Sequence, residues 1–289
     1  MSFWPLLSKE ISRHTNKPFT LQSKSAITSG CINQACKIND GKTSYFVKQN
    51  SSQFGDIFEV EASSLTELAS SNTIKVPQPI CYGSIDDQAY LVLEYLELAG
   101  RVNPTLQGQQ LAAMHQVRHS EFGWYKNNTI GSTPQSNQPT NDWVRFWREQ
   151  RLIPQFKLAL HNGYQLDAVE QLIDCFDSLF EAYQPQASML HGDLWGGNAS
   201  ALADGTPVIF DPAFYYGDRE TDIAMTHLFG GFEADFYAAY NEVWPLQTGH
   251  QIRRTFYNLY HIINHLNLFG RGYLGQAVSM ADQVLAEIR

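Results

Sequence analysis

Residues 189–199 read Met189-Leu-His-Gly-Asp-Leu-Trp-Gly-Gly-Asn-Ala199, MLHGDLWGGNA. Three glycines stand among a His, an Asp, a Trp and an Asn. Glycine is costly inside regular structure, so the stretch reads as a shaped loop. Shaped loops on a rigid scaffold tend to carry function.

The polar residues of this loop have the form H-x-D-x-x-x-x-N, running from His191 through Asp193 to Asn198. The protein-kinase catalytic loop has the same Asp-to-Asn interval. Phosphoryl transfer needs a carboxylate that receives or orients the attacking hydroxyl. It also needs a hard oxygen ligand for Mg²⁺, an ion that takes only one or two carboxylates from a protein. Asp193 suits the first role and Asn198 the second. A second metal carboxylate should follow a short strand, and Asp211 closes Pro207-Val-Ile-Phe210. The turn signal Asp204-Gly205 predicts a hairpin between 201–203 and 207–210, which would bring the loops together.

ATP then needs a cation for its α- and β-phosphates. Lys48 ends the strand-like run Tyr45-Phe-Val-Lys48, as the kinase lysine ends V-A-I-K. A helix carboxylate should hold it. Glu61 is the choice, because Glu59 lies about 200° away around the helix wheel. The turn Ser29-Gly30-Cys31-Ile32-Asn33 would cover the phosphates, through Gly30, Cys31 and Asn33. Glu94-Tyr95-Leu96 would form the hinge whose backbone meets adenine.

Further out, the apolar spacing of Phe58, Ala62, Leu65 and Leu68 predicts a helix, as do residues 107–117, 166–183 and 252–269. Residues 43–48 and 89–93 read as strands, while Pro77 and Pro79 break the chain. The polar run Gly131 to Asn141 reads as a loop. The character changes from strands plus one helix to mainly helices near 95–103, which predicts two domains, 1–98 and 99–289.

The chain's 289 residues carry a net charge of −9, which argues against nucleic acid, whose binders show a basic stripe. No run of 18 apolar residues or secretory pattern is visible, so no membrane partner is expected. The four cysteines, Cys31, Cys36, Cys81 and Cys175, are scattered, which suits a reducing cytoplasm.

Together these pieces resemble the fructosamine kinase, or ketosamine-3-kinase, family. The resemblance is carried by SGCINQACKI (29–38), YFVKQN (45–50), EASSLTEL (61–68), LVLEYLEL (91–98), GSTPQSN (131–137), FWREQR (146–151), LHGDLWGGN (190–198), FDPAFYYGDRETDIAMTHLFGGF (210–232) and HLNLFG (265–270). It implies an α+β fold, two-lobed like protein kinases and aminoglycoside phosphotransferases. The small lobe would be an antiparallel sheet with one key helix, the large lobe mainly helical. It implies Mg²⁺-ATP-dependent phosphorylation of the 3-hydroxyl of a ketoamine, such as a fructosamine or ribulosamine adduct of a small amine or a protein lysine. Such 3-phosphates are unstable and release the free amine, a deglycation repair activity. Carried over residue by residue, Asp193 resembles the catalytic base, Asn198 and Asp211 the metal ligands, Lys48 the phosphate lysine and Glu61 its partner. One departure is Ser29-Gly30-Cys31, where relatives often have two or more glycines.

Trp195 reads as a wall of the substrate pocket and His191 as a brace of the loop backbone. Asp218, Arg219 and Asp222 read as a buried ion-pair network anchoring the metal loop. Cys31 reads as an inert small residue, with redox control of ATP binding as its alternative. The rival functions are an aminoglycoside- or choline-type kinase and a nucleotide-binding pseudokinase.

Overall fold

The structure is a computed structural model and describes residues 3–27 and 34–288. The chain divides into two compact units, residues 1–103 with 200–212, and residues 104–199 with 213–289. The expected division at 98/99 assumed a single passage from one unit to the other. The chain instead passes three times, because backbone pairing ties 200–212 into the first unit.

The first unit starts with helix α1 (Phe3–Thr15), which the sequence reading missed. Strands β1 (Ser23–Ile27), β2 (Gln34–Asn39) and β3 (Ser44–Ser51) follow, then helix α2 (Gly55–Ser70) and strands β4 (Pro79–Ile85) and β5 (Gln88–Glu94). They form one sheet in the order β1-β2-β3-β5-β4, with every pairing antiparallel. Pro79 opens β4 instead of breaking the chain, since a first strand residue tolerates the missing N–H.

Alternation along β3 decides what reaches the site. Tyr45 and Val47 point into the cluster of Leu7, Ile11, Phe19, Ile38 and Val92 that α1 covers. Lys48 therefore points to the other face of the sheet. Helix α2 buries Phe58, Ala62, Leu65 and Leu68. Glu61 sits at the edge of that apolar stripe, one turn from Phe58 and one from Leu65.

The late segment joins through backbone groups. Strands β9 (Ala199–Ala201) and β10 (Pro207–Ile209) form the hairpin expected around Asp204-Gly205. Ile209 N donates to Lys75 O at 3.0 Å, Gly100 N to Ala201 O at 3.2 Å and Asn103 N to Gly205 O at 3.1 Å. A Cβ on Gly100 would lie 1.7 Å from Leu202 O, so only glycine allows that approach.

The second unit is mainly helical. In chain order it holds α3 (Pro104–His115), hairpin strands β6 (Asn128–Ile130) and β7 (Thr133–Gln135), α4 (Trp143–Trp147), α5 (Ile153–His161), α6 (Asp167–Cys175) and strand β8 (Ser188–Leu190). Strand β11 (Tyr215–Gly217), α7 (Glu220–Thr226), α8 (Ala234–Val243), α9 (His250–Phe269) and α10 (Leu274–Glu287) complete it. The stretch 131–141, expected as loop, contributes β7. The expected helix 166–183 stops at Cys175 and tightens to a 3₁₀ turn at Phe176–Phe180. A π-helical turn at Arg148–Leu152 joins α4 to α5 and turns Arg151 inward. There the buried guanidinium donates to Ser136 O at 2.6 Å and Asn137 Oδ1 at 2.7 Å, locking FWREQR onto GSTPQSN.

Candidate active site

In the first unit, Lys48 lies between two carboxylates. Its Nζ donates to Glu61 Oε1 at 2.6 Å and to Asp211 Oδ1 at 2.5 Å. Lys48 and Glu61 are nearly inaccessible, whereas 46% of the Asp211 side chain is exposed. Burial alone would push the ammonium pKa down, but Glu61 and Asp211 outweigh it and hold the pKa above its ordinary value. Lys48 is thus a fixed cation. Glu59 is absent from this pairing, as its position on the helix wheel requires.

Asp211 has φ +57°, in the left-handed region. Asp tolerates that region better than most non-glycine residues. The turn ends the β10 run with the carboxylate reaching both Lys48 and solvent.

In the second unit, β8 pairs antiparallel with β11, Leu190 facing Tyr215, and delivers His191 to Asn198 as a tight loop. Gly192 has φ +83°, and a Cβ there would meet Ala213 O at 2.0 Å. Asn198 Nδ2 donates to Asp193 O at 2.9 Å and Asp193 Oδ2 at 3.1 Å. These bonds turn the amide oxygen of Asn198 away from Asp193. Asp193 N donates to His191 Nδ1 at 3.2 Å, and His191 itself is fully buried. His191 therefore braces the loop through its ring.

The residues that hold this loop only partly match the expected ion-pair network. Asp222 accepts from His191 N at 2.7 Å and Gly192 N at 2.8 Å, so it anchors the Asp193 loop. His115 Nε2 lies 3.2 Å from the same carboxylate, and His115 Nδ1 lies 2.8 Å from Tyr240 OH. Burial pushes His115 down, so a neutral ring donates to Asp222. Arg219 donates to Tyr240 OH at 3.0 Å and to the carbonyls of Trp244 and Pro245. Asp218 accepts from Tyr183 and Tyr257 hydroxyls at 2.7 and 2.6 Å. The buried ion pair here is Arg253–Glu220, at 2.7 Å. Tyrosines and backbone thus replace the expected charge pairs, and His115, Tyr240 and Glu220 were not foreseen. Their polar side chains inside helical stripes were the available signal.

Trp195 is half-buried and meets Phe229 edge-on at 5.9 Å. Its ring lies over Gly197, where a Cβ would come within 2.3 Å of the indole. Glu94 ends β5 and pairs with Lys75 at 3.4 Å, Tyr95 lies under Lys37 Nζ at 4.1 Å, and Leu96 follows, half-buried. Gly30, Cys31 and Asn33 lie outside the described residues. Cys36 and Cys81 are buried free thiols, and burial pushes Cys81 up to about 12, so it is inert as a nucleophile. Among the described residues no three His, Cys, Asp or Glu side chains gather as a metal cage. The half-exposed Asp211 carboxylate of the first unit and the Asn198 amide oxygen of the second are each hard oxygen donors of the kind Mg²⁺ takes.

A family model described as fructosamine kinase matches residues 3–287. The chain belongs to the fructosamine kinase family. It is 46% identical over 286 residues to a "probable ketoamine kinase" of Synechocystis sp., covering 98% of this chain and 97% of that one. It is 40% identical over 272 residues to a chloroplastic protein-ribulosamine 3-kinase of Oryza sativa subsp. indica, covering 92% and 79%. The solved structure of a candidate fructosamine-3-kinase from Haemophilus somnus 129PT superposes with TM-score 0.89 at 29% identity, covering 96% of each chain. An aminoglycoside phosphotransferase shares the kinase-like fold at 13% identity and TM-score 0.58, covering 97% of this chain and 98% of its own. The fold of this fructosamine kinase family member is thus kinase-like and α+β, as the sequence implied.

Proposed function

We propose that this chain is an ATP-dependent kinase that phosphorylates the 3-hydroxyl of ketoamines. The observation that carries the reading is the buried Lys48 cation held by Glu61 and Asp211. A phosphate-binding lysine positioned by a helix carboxylate is what transfer from ATP needs. Membership of the fructosamine kinase family, with relatives named for ketoamines and ribulosamines, supports the acceptor class.

Each residue has a task in this reading. Lys48 neutralises the ATP phosphates, and Glu61 keeps it aimed. Asp193 accepts the proton of the attacking 3-hydroxyl as the bond from the γ-phosphorus to the bridging oxygen of ADP breaks. Asn198 and Asp211 would hold Mg²⁺, whose charge would screen the phosphates. Trp195 stacks on the acceptor, and the backbone of Glu94, Tyr95 and Leu96 meets adenine. Gly30, Cys31 and Asn33 are proposed from sequence alone as phosphate-loop contacts. Acceptors include small ketoamines and glycated protein lysines, in a cytoplasmic setting. Among the described residues no helix is long and apolar enough to cross a membrane.

A coupled ADP-release assay with Mg²⁺-ATP tests this against ribulosyl-lysine, fructosyl-lysine, kanamycin, choline and no acceptor. Turnover with the ketoamines alone is expected. Turnover with kanamycin or choline alone would overturn the acceptor class. ATP binding with no turnover on any acceptor would favour a pseudokinase.

A further inference from the structure

Outside the proposed catalytic residues, α7, α8 and α9 of the second unit line a half-open cavity of about 280 Å³. His227, His250 and Arg254 line it, and all three are basic. Its one acidic residue is Glu220, whose two carboxylate oxygens are taken by Arg253 at 2.7 and 2.9 Å. The cavity therefore holds one permanent cation, Arg254, flanked by two imidazoles.

His250 Nδ1 donates to Gln247 O at 3.1 Å, while Arg254 and His227 keep their side-chain donors. Among the described residues neither His227 nor Arg254 has a hydrogen-bond or ion-pair partner. His227 is held only by its ring, stacked on Tyr237 at 4.1 Å and 12°. Burial first, then Arg254 and His250, push His227 down to about 4, so its ring is neutral. The neutral His227 ring still offers one N–H, and Arg254 supplies a permanent charge and a planar fork. Ile223, Ala224, Ala234 and Leu246 give the wall an apolar side, beside Tyr237 and Asn241.

We infer that this cavity binds a small phosphomonoester, with its phosphate on His227 and Arg254 and its carbon body against Ile223 and Leu246. Arginine with flanking N–H donors is the usual frame for a phosphate group. The volume exceeds what a bare oxyanion fills, and the apolar wall favours an ester over free phosphate. The site does not rest on the kinase reading. It bears on the Asp193 loop through α7, which carries both Glu220 and Asp222.

The test is calorimetric titration of the full chain with glycerol 3-phosphate and, separately, with inorganic phosphate, each with and without saturating ADP. One-site binding of the ester is expected, tighter than inorganic phosphate and unaffected by ADP. Arg254→Gln and His227→Gln should each weaken it about tenfold, the loss of roughly one charge-assisted hydrogen bond. Both variants should keep the circular dichroism spectrum of the parent, and having two guards against one that fails to fold. No binding of the ester, parental affinity in both variants, or displacement by ADP would overturn the site. Inorganic phosphate binding as tightly as the ester would overturn the role of the apolar wall.

Discussion

Asn198 donates through Nδ2 to both the carbonyl and Oδ2 of Asp193, at 2.9 and 3.1 Å. The proposed base and metal ligand therefore hold each other in place. Asp193→Asn keeps an oxygen that can accept this bond, so the loop should survive while the proton acceptor is lost. We expect kcat to fall by about 10²–10⁴ with ATP affinity little changed. Near-parental turnover would remove Asp193 from the role.

Lys48→Met leaves Glu61 buried without its cation. Removing one partner of a buried pair costs about 3–5 kcal/mol, so the denaturation midpoint should drop sharply. Lys48→Met with Glu61→Gln should regain much of that stability but no activity. If the single variant is as stable as the parent, Glu61 does not depend on Lys48.

Asp211 occupies left-handed backbone, which Asn also tolerates. Asp211→Asn should keep the fold and weaken the Mg²⁺ dependence of nucleotide binding. Asp211→Ala should lose it and also strain the turn. An unchanged Mg²⁺ titration in the Asn variant would contradict the metal role.

Gly197→Ala places a methyl group where the Trp195 ring lies. The indole must move, so KM for the acceptor should rise several-fold, about 1 kcal/mol of lost stacking, while KM for ATP stays. A parallel rise in both constants would point to general loop damage.

Burial pushes His261 down to about 3 and His115 below its ordinary value of 6.5. Both are neutral in the folded chain and protonate on unfolding below about pH 6.5. Their contribution to stability is present above that pH and is lost as pH falls toward their folded values. Each should add up to about 1.4 kcal/mol per pH unit to the decline. Urea midpoints at pH 7.5, 6.5 and 5.5 check this, and His261→Asn should flatten the slope.

The candidate site residues stood out because phosphoryl transfer ties residue type to interval. Asp193, Asn198 and Asp211 each follow a strand or glycine turn that sequence marks, and Lys48 lies within β3. The helix wheel singled out Glu61 over Glu59, and the structure seats Glu61 on Lys48. What stayed hidden was tertiary. Helix α1 buries only Leu7 and Ile11, too short a stripe to stand out. The partners of Asp222 come from His115, over 100 residues earlier, and from backbone N–H groups that no sequence displays. Short strands such as β7 depend on their partner strand more than on their own composition.

Residues 200–212 belong to a unit whose other part ends at Asn103. On a ribosome making about 5–20 residues per second, that unit must wait roughly 5–20 s for its last segment. During that interval Lys48 and Glu61 are already made, but Asp211 is not. Any fragment cut after Asn103 would lack the β10 bridge to Lys75 as well as Asp211. The Lys48–Glu61–Asp211 cluster is thus completed late in synthesis, once most of the chain exists.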